Sequence, residues 1–472
     1  MIMSFFDEYE ILLEVARTSG IRAVPDLKLN LKDGPPSPDQ LNQFIKACHT
    51  GFAEAQRQIV TLLRQVKDDP TIDADEKTYR TLLLRRVADH MAWSLFALEG
   101  HVVRRLALHD DPPVLDLQTI SLALQEAEIR NSESLLTFTL VADLTTFFHV
   151  ADLITIDFRV AKPRVVFTEL KSGKVNDLLL ENLADYTPQE SSLEQIDNDP
   201  NIQPEHRKQA RRMLRQRIRQ AQVDEVITKD EGTDIRFKVP IKIHHEYIET
   251  SSWGDILALL CEKAEQSGIA GGLGGWCIHI GVATGDDLVQ SQRRASEALN
   301  QAIQIQLNQN PPGIKKTAAE LSSKYGIAPE DQIMPFNLLN LNLGVITGEP
   351  FTMWPVRPDL MRRIVERTIS IGVGFDLAAF IWLGNEAGVP VRVATHKETG
   401  RATSFLGSRA VPRWGNRAVV IEWPSGPVTL GGGMLSRFLV NLVKPESFLV
   451  GARRIEEMEQ DNNPRGGLRS DG

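Results

Sequence analysis

The sequence predicts an α/β protein of the α+β kind, and three patterns carry that expectation. Residues 1–130 place apolar side chains at helical spacing. Near Leu135 the pattern changes to period-two alternation rich in β-branched and aromatic residues, as strands require. The C-terminal half then alternates helical and strand-like stretches. The expected division is a helical region over 1–114, a strand-bearing core over 115–285, a mixed α/β region over 286–455 and a polar, disordered tail over 456–472.

In chain order, a short helix is expected within residues 1–24, around Tyr9, Leu12 and Leu13. A loop containing Gly34, Pro35 and Pro36 follows, and Ser37 with Pro38 opens a helix running to about Lys67, with Leu41, Phe44, Ile45, Cys48 and Phe52 on its apolar face. Asp75–Leu108 and Leu117–Ser132 continue the helical pattern. Thr137–Val141, Ala151–Val160 and Val165–Lys171 are expected strands, the last two joined by a hairpin turn over Ala161–Arg164. A polar, acidic loop is expected over Asn182–Gln203, a basic helix over Pro204–Asp224 and a strand over Ile235–Ile248. Beyond these, Trp276–Ala283, Leu338–Ile346, Pro390–Thr395 and Arg417–Glu422 are expected strands. Trp253–Ser267, Asp287–Leu307, Lys315–Tyr325, Asp359–Ile369 and Gly433–Leu442 are expected helices.

Composition narrows the function. A chain of 472 residues with 42% hydrophobic and 24% charged side chains can bury full cores. A net charge of −9 excludes an all-over basic coat, while leaving room for a local basic groove. The three cysteines form no Cys-x-x-Cys, which fits a reducing compartment and excludes a disulfide framework or a Cys-rich zinc site. No signal-peptide pattern opens the chain and no apolar run approaches ~20 residues, so a cytoplasmic protein is expected. There is no Walker sequence and no Gly-x-Ser-x-Gly elbow.

The chemistry concentrates at the end of the hairpin. Glu169 and Lys171 leave the same face of their strand. With the turn centred between Lys162 and Pro163, Glu169 faces Ile156 and Lys171 faces Ile154. Asp152 then shares their face and Asp157 does not. Two carboxylates and a backbone carbonyl, that of Leu170, form an oxygen donor set suited to Mg²⁺ or Mn²⁺. Such an ion activates water and relieves charge on a phosphate, and Lys171 can orient that water or stabilise transition-state charge.

This constellation resembles the PD-(D/E)xK nuclease superfamily over roughly residues 115–285. Asp152 is followed seventeen positions later by Glu169-Leu170-Lys171, and then by a helix carrying Gln209 and Arg212, a Gln-x-x-Arg repeated at Gln216 and Arg219. The resemblance implies a restriction-endonuclease-like core with Asp152, Glu169 and Lys171 catalytic, and Asp152, Glu169 and the Leu170 carbonyl holding the metal. It also implies Gln209 and Arg212 nearest the chemistry. No proline precedes Asp152, and the family's first-helix glutamate has three candidates, Glu99, Glu126 and Glu128.

Seven cations fall between Arg207 and Arg219, and Arg207, Arg211 and Arg215 fall at i, i+4 and i+8. A charge run is usually a solvated face. Directly after the acidic site it also suits phosphate contacts by Lys174, Arg207, Gln209, Arg211, Arg212 and Arg215. Gly271–Gly275 is expected to be a flexible turn, Gly431–Gly433 precedes a helix without a following Lys-Ser/Thr, and His244, His245, Cys277 and His279 lack zinc spacing. The expected activity is Mg²⁺-dependent endonucleolytic cleavage of DNA ahead of RNA, in antiviral defence, restriction or repair. The alternative is a non-catalytic nucleic-acid-binding or assembly protein of the same fold. A third reading puts a sugar- or nucleotide-hydrolase pocket in the C-terminal region. A homo-oligomer or a partner protein is compatible with either of the first two.

Overall fold

A computed structural model describes residues 3–20, 37–96, 100–109, 111–159, 164–170, 174–235, 238, 240–242, 250–407, 410–423 and 426–462. The protein is of the α+β class, with several small antiparallel sheets. It divides into two compact units, Met1–His244 and His245–Gly472.

The first unit opens with α1 (Phe5–Arg17), α2 (Pro38–Ala47), α3 (Ala53–Asp68), α4 (Ala74–Leu95), α5 (Gly100–Leu106) and α6 (Leu117–Glu133). A π-helical turn, Cys48–Phe52, joins α2 to α3. Strands β1 (Thr137–Val141), β2 (Leu153–Asp157) and β3 (Arg164–Thr168) follow in the antiparallel order β1-β2-β3. Then come α7 (Lys174–Asn182), α8 (Ser192–Gln195), α9 (Arg207–Lys229), β4 (Glu231–Thr233) and β5 (Pro240–Lys242). Every residue of β1 is buried. Phe138 packs edge-on against Phe52, and Phe44 against Phe158, so α2 and the turn after it cover the sheet.

The outer edge of β1 is closed by two amide side chains. Asn131 Oδ1 accepts from the Thr139 N–H at 2.7 Å, and Gln56 Oε1 accepts from the Val141 N–H at 2.8 Å. Both amide nitrogens donate to the Thr139 carbonyl, at 3.1 and 3.2 Å. Side chains therefore supply the partners a neighbouring strand would give. A second buried anchor ties α4 to the β1–β2 connection: Arg86 pairs with Asp89 at 2.8 Å, and Asp89 accepts from the Thr146 N–H and hydroxyl, each at 2.7 Å.

The second unit contains α10 (Gly254–Ser267), β6 (Ile269–Gly275), β7 (Ile278–Thr284), α11 (Leu288–Gln309), α12 (Pro312–Tyr325), β8 (Ile333–Asn337), α13 (Leu338–Gly344), α14 (Pro358–Val365) and β9 (Ile369–Asp376). It continues with α15 (Leu377–Glu386), β10 (Val391–Val393), α16 (His396–Leu406), β11 (Val419–Trp423), β12 (Gly426–Thr429), α17 (Gly432–Leu439) and α18 (Pro445–Asn462). Its main sheet has the order β6-β7-β9-β8 and its smaller one β10-β11-β12. Gly271, Gly281 and Gly372 lie in register across β6, β7 and β9. This glycine furrow seats α11. A Cβ built on Gly281 would lie 2.2 Å from the Leu299 nitrogen and 2.4 Å from the Ala295 carbonyl oxygen.

Several expectations are corrected here. Residues 254–284 pair and pack within the second unit, because β7 hydrogen-bonds β9; the core expected to reach residue 285 ends near 244. Residues 1–114 do not stand apart, since Gln56 of α3 is built into the β1 edge. The Gly271–Gly275 run is strand, not a turn. Leu338–Ile346 is not a strand: Asn337 caps α13, accepting from the Asn340 N–H at 3.0 Å. The Asn182–Gln203 loop contains α8 and buries Leu193, Ile196 and Ile202. Residues 456–462, assigned to the tail, are helical, and the rest of the tail lies outside the described residues. His244 and His245 also lie outside them. No helix among the described residues is long and apolar enough to cross a membrane.

Candidate active site

The β2–β3 ladder ends at the pair Leu153–Thr168. Asp152 and Glu169 are therefore the first residues beyond it, side by side at one end of the hairpin. The register differs from the one expected: Ile156 faces Val165, not Glu169, an offset of four residues. An even offset preserves which face each side chain takes, so Asp152 keeps the face of Glu169 and Asp157 takes the other. Asp157 is at the far end, opposite Arg164 and held by Arg159 at 2.7 Å. The strand stops before Glu169 because Asp152 diverts the next donor: its Oδ2 accepts from the Leu170 N–H at 2.5 Å, while its own N–H donates to the Thr168 carbonyl at 3.0 Å. Lys171 lies outside the described residues.

A third carboxylate belongs to this end of the sheet. Asp143 sits in the 3-10 turn Ala142–Leu144 between β1 and β2. Burial pushes its carboxyl up to about 6, with the charges of Asp152 and Glu169 adding to the rise and Arg85 opposing it. Sequence reading missed Asp143, whose turn has no periodicity to mark it. Of the glutamates considered for this role, Glu126 pairs with Arg130 at 2.8 Å and Glu128 with Arg57 at 3.3 Å. Glu99 lies outside the described residues. Arg130 also donates to the Thr168 hydroxyl at 2.9 Å, joining α6 to the end of β3.

Helix α9 forms the wall, in a different phase from the one expected. Gln216, not Gln209, reaches the acidic cluster: its Nε2 donates to Glu169 Oε2 at 3.2 Å. Its Oε1 is buried and has no partner among the described residues. Gln209 donates to Asn176 of α7 at 3.1 Å, and Gln220 to the Val150 carbonyl at 3.1 Å. At 3.6 residues per turn, 209, 216 and 220 form one stripe facing α7 and the sheet. A small separate core fixes this phase, with Leu179, Leu183, Leu193 and Ile196 packed against Met213, Leu214 and Ile218.

The cations sort by the same geometry. Lys208, Arg212 and Arg215 are exposed and Arg219 half-buried, a stripe at i, i+4, i+7 and i+11 beside the glutamines. Arg211 pairs with Asp197 at 3.3 Å, and the charge of Arg207 helps hold Asp199 low, behind the hydrogen bonds from Tyr186 and Asn201. The expected face of Arg207, Arg211 and Arg215 is thus divided, with two of its members turned toward acids. Lys174, at the start of α7, is exposed.

The donor set is all oxygen and crowded with negative charge, which matches a hard divalent cation. Among the described residues no group of three His, Cys, Asp or Glu side chains is arranged to hold a metal ion. No family model, curated protein or solved structure matches the chain. The side-chain geometry is therefore the basis for any functional reading. Elsewhere, Cys277 in the turn before β7 and His279 in β7 are buried, and His279 Nε2 lies 3.6 Å from Asp376 Oδ2.

Proposed function

We propose that the protein is a Mg²⁺-dependent nuclease acting on DNA, of the PD-(D/E)xK type, in a defence, restriction or repair setting. The single observation that carries this reading is the pairing of Asp152 and Glu169 at the open end of the hairpin, with Gln216 on Glu169. Asp152 and Glu169 would hold the cation, with the Leu170 carbonyl as the resemblance implies. Mg²⁺ when bound lowers the pKa of a coordinated water and offsets phosphate charge. The chain's own groups do the rest. Gln216 orients the Glu169 carboxylate, and Arg85 and Asp89 fix the turn bearing Asp143 through the Asp143 carbonyl and Thr146. The Lys208, Arg212, Arg215 and Arg219 stripe grips phosphates. Lys171 is assigned to the attacking water or the transition-state charge.

Plasmid and single-stranded DNA incubated with Mg²⁺ or Mn²⁺ test this. Asp152→Asn, Glu169→Ala and Lys171→Ala should each reduce cleavage by about 100-fold or more, the scale at which removing a charge-stabilising group acts. Undiminished cleavage in all three would exclude the site.

A second reading, a nucleic-acid-binding protein without the chemistry, is favoured by one feature. Asp152 and Glu169 each accept a hydrogen bond from within the chain, as a structural cluster would. DNA binding without cleavage in any divalent metal would select it.

A further inference from the structure

A cavity of about 370 Å³ lies in the first unit between α3, α4 and the segment entering α6. That volume is within the range of small-molecule pockets. Leu63, Leu82 and Leu115 give it aliphatic walls, Lys67 and Lys77 its basic groups, and Arg85 also lines it.

Arg85 is unusual in its partners. It is 4% exposed, and its two terminal nitrogens donate only to carbonyls, those of Pro113 at 2.9 Å, Asp143 at 3.3 Å and Thr145. Its Nε has no hydrogen-bond partner among the described residues, and the two nearby carboxylates, Asp89 and Asp143, act on it only through their charge. Burial pulls its guanidinium down to about 10. Burial outweighs the pull of those two charges, so the cation is incompletely compensated, and it lines a cavity large enough to admit a further counter-ion. Lys67 and Lys77 add two more positive charges. The nearby Asp116 does not fill the role, because it caps α6, accepting from the Gln118 N–H at 3.0 Å and the Thr119 hydroxyl at 2.7 Å. No aromatic ring among the described residues lines the cavity to stack a base.

We propose that this cavity binds a small amphiphilic anion, its aliphatic body among Leu63, Leu82 and Leu115 and its carboxylate or phosphate head on Arg85, flanked by Lys67 and Lys77. Arg85 also holds the Asp143 carbonyl, so the cavity and the turn bearing Asp143 share one side chain. The site is independent of the nuclease reading, since binding needs no cleavage.

Calorimetric titration of the full chain tests it, with octanoate and octyl phosphate as probes and octanol and inorganic phosphate as controls. Saturable binding of at least one probe is expected, about tenfold or more tighter than either control. Octyl phosphate ahead of octanoate identifies a phosphate head, and the reverse a carboxylate. Thr81→Trp, which fills the cavity from its partly exposed wall, and Lys67→Glu should each weaken binding by about tenfold or more, with the far-UV spectrum unchanged. Because Thr81→Trp could disturb the packing of α4, Lys67→Glu provides a surface variant that cannot. No saturable binding by either probe would overturn the proposal. So would octanol binding as tightly as the probes, or undiminished binding in a folded Lys67→Glu variant.

Discussion

Gln216 and Gln209 are separated by seven residues on one helical stripe, yet only Gln216 touches Glu169. A hydrogen bond to a charged group contributes roughly 1.5–3 kcal/mol. Gln216→Ala should therefore lower DNA cleavage by about 10–100-fold, whereas Gln209→Ala, which loses a contact to Asn176, should leave it nearly unchanged. A plasmid-nicking assay on both variants decides this, and equal effects would refute the assignment. A second residue-scale prediction concerns pH. The hydrogen bond from Arg392 holds the Glu398 carboxyl down to about 2, below its ordinary 4.5. A carboxyl lowered by folding adds stability above its unfolded value, and that stability is lost as pH falls through the folded one. The pair is partly exposed, so the contribution is at most about 1 kcal/mol. Glu398→Gln should cost that much in urea unfolding at pH 7, and the gap from the parent should close between pH 4.5 and 2. A gap that persists at pH 2 would assign the effect to packing instead.

Elements show which parts of the fold were legible in the sequence. Helices with a sustained stripe, such as α3 and α11, announce themselves, because one face is buried along their whole length. Helix α13 does not. Its alternating leucines and asparagines mimic a strand, while the signals that make it a helix are local: the Asn337 cap, and Asn342 holding the Glu349 carbonyl and the Phe351 N–H. Strand β6 was hidden by its glycines, which serve the neighbouring helix more than the chain's own conformation. Asp152, Glu169 and the identity of the basic helix were legible because spacing alone relates them. The phase of α9 was not, because the α7–α8 core that sets it is formed by residues that look like loop. Gly281 gives a test at this scale. Gly281→Ala forces a methyl into the α11 backbone and should cost roughly 3 kcal/mol or more. Gly344→Ala, where a Cβ meets nothing within 4 Å, should be neutral or slightly stabilising. Equal melting temperatures for the two variants would mean that α11 does not sit this close.

The whole molecule has two units, and every group assigned to the candidate active site and to the anion cavity lies in the first. Each unit has its own buried set. In the first, Phe52 packs on Phe138 of β1, Phe148 on Phe167 of β3 and Phe44 on Phe158 just after β2; in the second, Phe375, Phe380, Trp414 and Phe438 pack ring against ring. A unit with its own core can fold alone. A chain ending at His244 should therefore give a helical circular-dichroism spectrum and a single cooperative urea transition. If the nuclease reading holds, it should also retain Mg²⁺-dependent cleavage that Glu169→Ala abolishes. A chain beginning at His245 should fold and show no cleavage. The full chain should unfold in two transitions when the units differ in stability. A folded but inert first unit, beside an active full-length protein, would mean that residues of the second unit complete the reaction, and the site drawn from Asp143, Asp152, Glu169 and Gln216 would then be only part of it.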